Sequence, residues 1–271
     1  MAIGAFVAIF HNFFINHAGL SKVTERYSRA PIVEAVIDIR CRLFGETPSR
    51  AQIEDLCRRL ASKFPLVSEL ATIKVELALN APELSAVRSE SLSGSVALRL
   101  ANATNDRILQ VRGDGIAYSH LPPYTSWDQF VAEFRELWGL YVNEFPLEYI
   151  SRMAVRYINR ITVGQGTDID SITTIGPRVP VGLPQQVVGY FSRLVIPAID
   201  LGPAFRVVLN SGVEPNSGAD PGAVTIDIDV FSEGLQLTST EEPWHTLGLL
   251  RVYKNKIFES CITDKSRETF R

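Results

Sequence analysis

The chain has 271 residues, of which 46% are apolar and 21% are charged. This composition is typical of folded globular proteins and excludes collagen-like or wholly disordered chains. Its 27 basic and 30 acidic residues leave a net charge of −3, which argues against a protein that wraps mainly around a phosphate backbone. A local basic surface is compatible with this charge, so nucleic-acid binding is kept as an alternative without being favoured.

Cysteine usage indicates the compartment. Cys41, Cys57 and Cys261 are widely spaced and lack histidines at ligand spacing, so neither a disulfide framework nor a zinc site is indicated. We therefore expect three half-buried thiols and a cytoplasmic protein.

Residues 1–26 are expected to be an N-terminal extension outside the fold. The first 20 residues are apolar, yet they lack a basic leader and are interrupted by polar residues, so they do not read as a signal peptide. They are also too short and polar to span a membrane. These residues form a weak interfacial helix, or they result from an upstream start codon and have no structural role. We favour the start-codon interpretation.

Strands and helices alternate in the first part of the chain. Apolar and polar residues alternate over Ala30–Leu43, which predicts a half-buried strand. Ser49 and Gln52 then form a capping box for an amphipathic helix that ends at Pro65. The elements predicted next are strands at Ile73–Leu79 and Val96–Leu100 and a hairpin over Ile108–Leu121 that turns at Gly113–Gly115.

The most regular element is a long helix between Ser126 and Phe145. Ser126 and Gln129 predict a second capping box, and an aromatic stripe lines one side of the helix. Because Glu133 and other charged residues are assigned to the opposite, solvated side, we interpret the stripe as core packing. No cofactor is expected, since Gly164-Gln165-Gly166 lacks the third glycine of a dinucleotide-binding loop.

A second series of elements begins after Pro146 with a long strand over Tyr149–Val163. The elements predicted after it are a short helix at Gln185–Tyr190, strands at Leu194–Ile199, Phe205–Leu209 and Val224–Phe231, and a final helix opened by Ser239 and Glu242. Two segments rich in glycine, proline and asparagine, Gly164–Gly182 and Ser211–Gly222, are predicted to be long loops that gate a surface or contact a partner.

The order strand, helix, strands, long helix thus occurs twice, which predicts an internal duplication. We expect an α+β protein with a largely antiparallel sheet and long helices on one face. Residues 27–145 form the first half and residues 146–271 the second, fused into one sheet. The order of elements is analogous to the TATA-binding-protein-like saddle, and this analogy carries no function.

Several motifs along the chain point to one family. They are Ala30-Pro31-Ile32-Val33-Glu34-Ala35, Ile108-Leu109-Gln110-Val111, the series Leu121, Tyr124 and Trp127, the run Arg156-Tyr157-Ile158-Asn159-Arg160, and Ile257-Phe258 with Ile262-Thr263. Together they resemble a sporadically distributed prokaryotic family of conserved proteins of unknown function. The resemblance covers residues 27–270. It implies no activity, cofactor or catalytic residue, and the patchy distribution of the family implies an accessory gene.

The long strand supplies the main candidate site. Arg152, Arg156 and Arg160 lie at even spacing and therefore point to one face of the sheet. Guanidinium groups bind carboxylates and phosphates, so we expect this face to bind a protein partner or an anionic small molecule. The predicted binding residues are Arg156, Arg160, Asn159, Arg112, Gln110, Arg40, Arg99 and Tyr124, and Arg42 and Lys74 fall on the same face of their strands.

Other interpretations stay open. Asp38, Glu76, Asp227 and Asp229 occupy equivalent positions, so cross-strand ion pairs could neutralise the face and leave it purely structural. Single-stranded nucleic acid is a second alternative.

A metal-dependent hydrolase is the third alternative. It would use Asp227 and Asp229, with Asp200 upstream. His120 or His245 would act as general base beside Ser119 or Tyr124. None of these residues falls in a hydrolase motif, so we favour a non-catalytic binding protein without a metal. No heptad or apolar stripe specifies an oligomer.

Overall fold

The computed structural model describes residues 27–69, 97–164, 166–185, 187, 189–214, 222–238 and 242–271. Within these residues the chain is an α+β protein with nine strands in one antiparallel sheet, four α-helices and a short 3-10 helix. The extension 1–26, the predicted strand at 73–79 with Lys74 and Glu76, and the predicted cap Ser239 lie outside the described residues.

The strands pair antiparallel in the spatial order β2-β3-β4-β5-β1-β6-β9-β8-β7. Their bounds are β1 Ile32–Leu43, β2 Leu66–Glu69, β3 Ala97–Ala101, β4 Arg107–Arg112, β5 Gly115–His120, β6 Leu147–Thr162, β7 Tyr190–Pro197, β8 Phe205–Glu214 and β9 Ala223–Leu237. The two long strands β1 and β6 are neighbours near the centre of the sheet, while β2 and β7 form its edges.

The helices are α1 (Arg50–Arg59), α2 (Trp127–Glu144), α3 (Glu242–Cys261) and α4 (Asp264–Phe270). The predicted capping box of α1 is confirmed, because Ser49 and Gln52 bond each other's backbone reciprocally. Only half of the second box forms. The Ser126 hydroxyl accepts from the Gln129 backbone at 3.2 Å, whereas the Gln129 side chain donates to Glu133 instead of returning to the cap.

One face of the sheet and the helices enclose a continuous apolar core. Every second residue of β1 and β6, including Ile37, Ile39 and Val155, is buried on this face, as the alternation predicts. Aromatic contacts link the layers: the ring centroids of Tyr118 and Phe130 lie 5.8 Å apart, and those of Phe134 and Trp244 lie 6.3 Å apart. The opposite face carries only a small buried apolar cluster of Ala154, Val208 and Phe231.

Two predicted elements require correction, and one helix was not predicted. The short helix at Gln185–Tyr190 is wrong, because the described residues of this segment are not helical and Tyr190 begins strand β7. The loop Ser211–Gly222 begins too early, since Ser211–Glu214 continue β8, where Ser211–Val213 pair with both neighbouring strands and Glu214 pairs with β9. Helix α4 was not predicted, although Thr263 caps it by accepting from the backbone of Ser266 at 3.3 Å.

The three cysteines are free, and they are buried rather than half-buried as expected. In the part of the chain that the structure describes, no helix is long and apolar enough to cross a membrane.

Candidate functional site

The side of the sheet opposite the helices carries a continuous set of charged residues, which we call the polar face. The strand register brings them together, because residues paired across neighbouring strands share a face. The centre of the polar face consists of Asp38 on β1, Arg112 on β4, Arg152 and Arg156 on β6, and Asp227 and Asp229 on β9.

A row of ion pairs, the Asp38 ladder, crosses the sheet at right angles to the strands. Arg112 Nη2 lies 2.6 Å from Asp38 Oδ2, and Arg152 Nη1 lies 3.1 Å from Asp38 Oδ1. Arg152 Nη2 continues the row to Asp229 Oδ2 at 3.3 Å. The ladder thus links β4, β1, β6 and β9.

Strand β5 lies between β4 and β1 but presents only small residues on the polar face, which lets Arg112 reach across it. Gly115 is paired with Arg112 and Arg40, and Ala117 with Asp38. Gly115 has φ +140°, and a Cβ there would collide with the carbonyl oxygen of Ile39. Glycine at this position therefore serves both the predicted hairpin turn and the close approach of the strands.

A second row, the Asp227 ladder, runs from β6 to the edge strand β7. Arg156 Nε and Nη2 donate to the two carboxylate oxygens of Asp227, each at 2.7 Å. Asn210 Nδ2 donates to Asp227 Oδ2 at 2.8 Å, and Arg193 Nη1 donates to Asn210 Oδ1 at 3.1 Å. The bidentate pair orients the Arg156 guanidinium group in a single geometry.

At the centre of the polar face three arginines meet three aspartates, so that region is close to electroneutral. Burial raises the pKa of Asp229, and the positive charges of Arg152 and Arg156 oppose that effect only in part. Asp229 Oδ1 is buried and accepts no hydrogen bond from the described residues. Arg156 remains 44% exposed in spite of its bond to Asp227. Arg156 therefore presents an accessible guanidinium group, whereas Asp229 Oδ1 and Arg112 Nε are buried and lack hydrogen-bond partners among the described residues.

The arginines at the margin of the polar face are less constrained. Arg40 lies 3.7 Å from Asp38 and 3.6 Å from Asp114, and Arg42 lies 3.7 Å from Glu148. Exposed pairs of this length contribute little to stability. These marginal charges can therefore turn towards a ligand at low cost.

Six of the eight predicted binding residues lie on the polar face. Arg99 and Gln110 are cross-strand neighbours on β3 and β4, and the register places Arg40, Arg112, Arg156 and Arg160 on the same side. The expectation that Asn159 and Tyr124 share this surface requires correction. Asn159 is buried on the helix side, where its Nδ2 donates to the carbonyl of Ile226 at 3.1 Å. Tyr124 also lies on that side, and its hydroxyl is 2.6 Å from that of Tyr157.

The helix side contains a polar cluster centred on Glu133, which was wrongly assigned to solvent. Glu133 Oε2 accepts from the Tyr118 hydroxyl at 2.7 Å and lies 2.8 Å from His120 Nε2. Gln129 Nε2 donates to Glu133 Oε1 at 2.8 Å. Glu133 follows the buried Phe130 by three residues and precedes the buried Leu137 by four, so helical spacing contained the signal for its inward position.

His120 is fully buried, and burial lowers its pKa. Ser119, its neighbour on β5, points to the polar face by alternation, so the two do not form a nucleophile and base pair. His245 is exposed on α3. The suggested pairing of His120 with Ser119 is therefore not formed, whereas the rings of His120 and Tyr124 contact each other, with centroids 6.2 Å apart.

Lys254 on α3 is a buried cation that the sequence analysis missed. Its Nζ lies 3.7 Å from the centroid of the Tyr157 ring, on the helix side of the sheet. Burial, reinforced by the nearby charge of Arg251, lowers the pKa of Lys254 to about 7. Leu247, Leu250, Lys254 and Cys261 are all buried and recur at helical spacing, which would have indicated this core position.

The described residues contain no cluster of three or more histidine, cysteine or acidic side chains placed to hold a metal ion. Asp227 is bound by Arg156, Asp229 by Arg152, and Asp200 lies 3.0 Å from Lys256. A metal at the two β9 carboxylates would have to displace both arginines.

No protein-family model matches this chain, and no curated protein matches it significantly. The function is therefore inferred from the polar face and from the helix-side cluster around Glu133.

Proposed function

We propose that the chain is a non-catalytic binding protein and that its polar face docks a protein partner. The observation that carries this proposal is the pair of ladders, which align charged side chains across a sheet face that no described helix covers. Ladders of this kind hold the charged groups in place before binding, which reduces the entropic cost of association.

A protein partner fits the polar face better than a polyanion does. Arg112, Arg152 and Arg156 already bond to aspartates, so few unpaired cations remain at the centre. A surface of alternating sign favours a partner of complementary alternating sign. An anionic small molecule bound near Arg156 and Arg160 stays the alternative, and nucleic acid is less favoured because of the net charge of −3.

We also propose that residues 27–145 and 146–271 are two similar, duplicated halves of a saddle-like sheet. The sheet order supports this, because each half ends with a strand, β5 or β9, that returns beside its first strand and leads into a long helix. The family resemblance and a cytoplasmic location remain part of the proposal. The free buried thiols support a reducing compartment.

The test is to isolate the tagged protein gently from its native cells at low salt and to record native mass spectra of the wild type and of charge variants. We expect a stoichiometric bound protein with the wild type. Arg40→Glu combined with Arg42→Glu should reduce capture at least ~10-fold, because a reversed rim charge opposes a complementary surface. These two arginines are exposed and make only long ion pairs, so the fold should be retained.

A second variant, Arg156→Glu combined with Arg160→Glu, tests the centre of the face. It should abolish capture, although it also leaves Asp227 without its partner, so its folding is checked by circular dichroism. The matched control is Arg58→Glu with Lys63→Glu, which makes the same change in charge at exposed positions next to α1, on the helix side. Equal capture by all three variants would contradict the proposal, as would a wild-type spectrum without any bound partner. A bound anion, or binding that weakens steeply with salt, would identify the alternatives.

A further inference from the structure

Strand β7 ends the sheet on one side, and none of the described strands pairs with its outer edge. The backbone N–H of Ala198 donates to the carbonyl of Phe205 at 3.0 Å, in the same register as the β7–β8 pairs. Because hydrogen-bonding direction alternates along an antiparallel strand, the even-numbered residues of β7 bond to β8. The backbone groups of Phe191, Arg193, Val195 and Pro197 therefore point away from the sheet.

In the part of the chain that the structure describes, no strand or loop accepts from the N–H groups of Phe191, Arg193 or Val195. Pro197 has no N–H, and an outward position on an edge strand is where proline is tolerated. Three donors and four acceptors thus line this edge and are free to pair with another strand.

The side chains of β7 are apolar and exposed on both faces of the sheet. On the polar face Phe191 is 73% exposed and Val195 60% exposed, and on the helix face Leu194 is 47% exposed and Ile196 41% exposed. A solvated edge strand normally avoids such composition, because exposed apolar edges recruit other strands. A strand added beside β7 would cover all four side chains at once.

We infer that β7 pairs antiparallel with β7 of a second copy of this chain, about a two-fold axis at Leu194. A two-fold axis normal to a sheet places one residue opposite itself in the second copy. With Leu194 at that position, Arg193 lies opposite Val195 of the other copy, and Phe191 lies opposite Pro197.

This register is favoured by both hydrogen bonding and charge. All three free N–H groups find acceptors within β7 of the second copy, and Pro197 is required only as an acceptor. An axis at Arg193 would instead place two guanidinium groups directly opposite each other, which is destabilising. An axis at Val195 would place Phe191 opposite Ile199, which lies outside β7, so the N–H of Phe191 would lack an acceptor within the strand. The axis at Leu194 leaves one carbonyl of each copy, that of Phe191 opposite Pro197, without a donor. The second copy is therefore a self-complementary occupant of this edge, independent of the partner proposed for the polar face.

Sedimentation velocity of the purified chain over a range of concentrations tests the inference. We expect the wild type to dimerise. Val195→Lys should raise the dissociation constant of the dimer about 10-fold, because it places a lysine opposite Arg193 of the second copy. The two-fold symmetry makes this contact occur twice in each dimer. Val195→Glu should retain the dimer, since the new carboxylate faces Arg193. Arg193→Glu combined with Val195→Lys should restore the dimer lost with Val195→Lys alone.

Leu140→Lys is the matched control, because Leu140 is also an exposed apolar residue but lies on α2. It should leave the dimer unchanged. A wild-type chain that is monomeric at about 100 µM, a concentration at which even weak specific dimers form, would overturn the inference. Equal weakening by the lysine and glutamate variants would overturn the register, since only the proposed pairing makes the sign of the charge matter.

Discussion

The ionisation of Lys254 follows from its burial beneath α3, over the ring of Tyr157. Its pKa is about 7 in the folded protein and about 10.4 in an unfolded chain. Between these values the unfolded chain binds a proton that the folded protein lacks, so stability rises with pH in this window. Below pH 7 both states are protonated, and the cost of the buried charge is present in full.

We therefore expect Lys254→Met to be more stable than the wild type at pH 7, and this advantage should shrink as the pH rises to 9. The change in the difference between the two free energies of unfolding should approach about 1.4 kcal/mol per pH unit, the limit for one linked proton. Urea unfolding at pH 6, 7, 8 and 9 measures it. Lys256→Met is the control for the loss of a lysine from the same helix, because Lys256 is exposed and paired with Asp200. If the difference in unfolding free energy between Lys254→Met and the wild type stays constant from pH 6 to pH 9, the buried charge is not the cause of the change in stability.

At the level of residues, the sequence located most of the polar face but not the buried polar groups. Alternation alone placed Arg112, Arg156 and Asp227 on one side, because a strand's side chains have a period of two. The same rule places Asn159 on the helix side. The inward positions of Glu133, which is 31% exposed, and of the buried Lys254 were not predicted, because charged residues rarely face the core and only their contacts explain these positions.

Helix α1 illustrates how local sequence determines an element. The Ser49 backbone N–H donates to Gln52 Oε1 at 2.9 Å, and the Ser49 hydroxyl accepts from the Gln52 backbone at 3.4 Å. The helix buries Ile53, Leu56 and Cys57 against the sheet. Because the start of the helix positions this apolar side, loss of the cap should lower global stability.

Ser49→Ala should destabilise the protein by about 1 kcal/mol, the usual cost of removing a side-chain cap. The midpoint of urea unfolding measures the change. Ser68→Ala is the comparison: Ser68 lies on the exposed strand β2, and its hydroxyl makes only a 3.5 Å contact with Arg99. We expect an effect of less than ~0.5 kcal/mol there. Equal losses of unfolding free energy in the two variants would mean that the Ser49 cap stabilises the protein no more than an exposed hydroxyl group does.

Elements with one buried face were predicted well, and edge elements were not. Strands β1, β6 and β9 alternate between buried and exposed positions, which is the pattern that sequence analysis detects. Strand β2 is exposed at all four residues, and β7 has no buried residue. An edge strand that buries neither side carries no period-two signal, so β2 was missed and Tyr190 was assigned to a helix.

At the scale of the whole molecule, residues 27–145 and 146–271, the two proposed halves, meet along β1 and β6. These strands pair from Ile32 with Asn159 to Leu43 with Leu147, and one apolar core runs beneath both. Helices from the two halves also touch through Phe134 and Trp244. Such continuity predicts that the described sheet unfolds as one unit.

Leu247→Ala tests this cooperativity, because Leu247 is fully buried in the second half. The substitution should cost about 2–5 kcal/mol. Amide hydrogen exchange measured by mass spectrometry should show the same loss of protection in peptides from β4 and from β9, since both would exchange through global unfolding. Loss confined to β9 would indicate two independently unfolding halves.

The place of β1 in the sheet also affects how the chain is made. β1 leaves the ribosome before its two neighbours in the sheet, and β5 covers one of its edges once residue 120 has emerged. Its other edge belongs to β6, which begins at Leu147 and is separated from β1 by all of α1 through α2. During that interval the nascent first half exposes an unpaired long strand, a state prone to aggregation. Slow translation across residues 121–146 would prolong this exposure. A chaperone bound at the ribosome would reduce the aggregation that results from it.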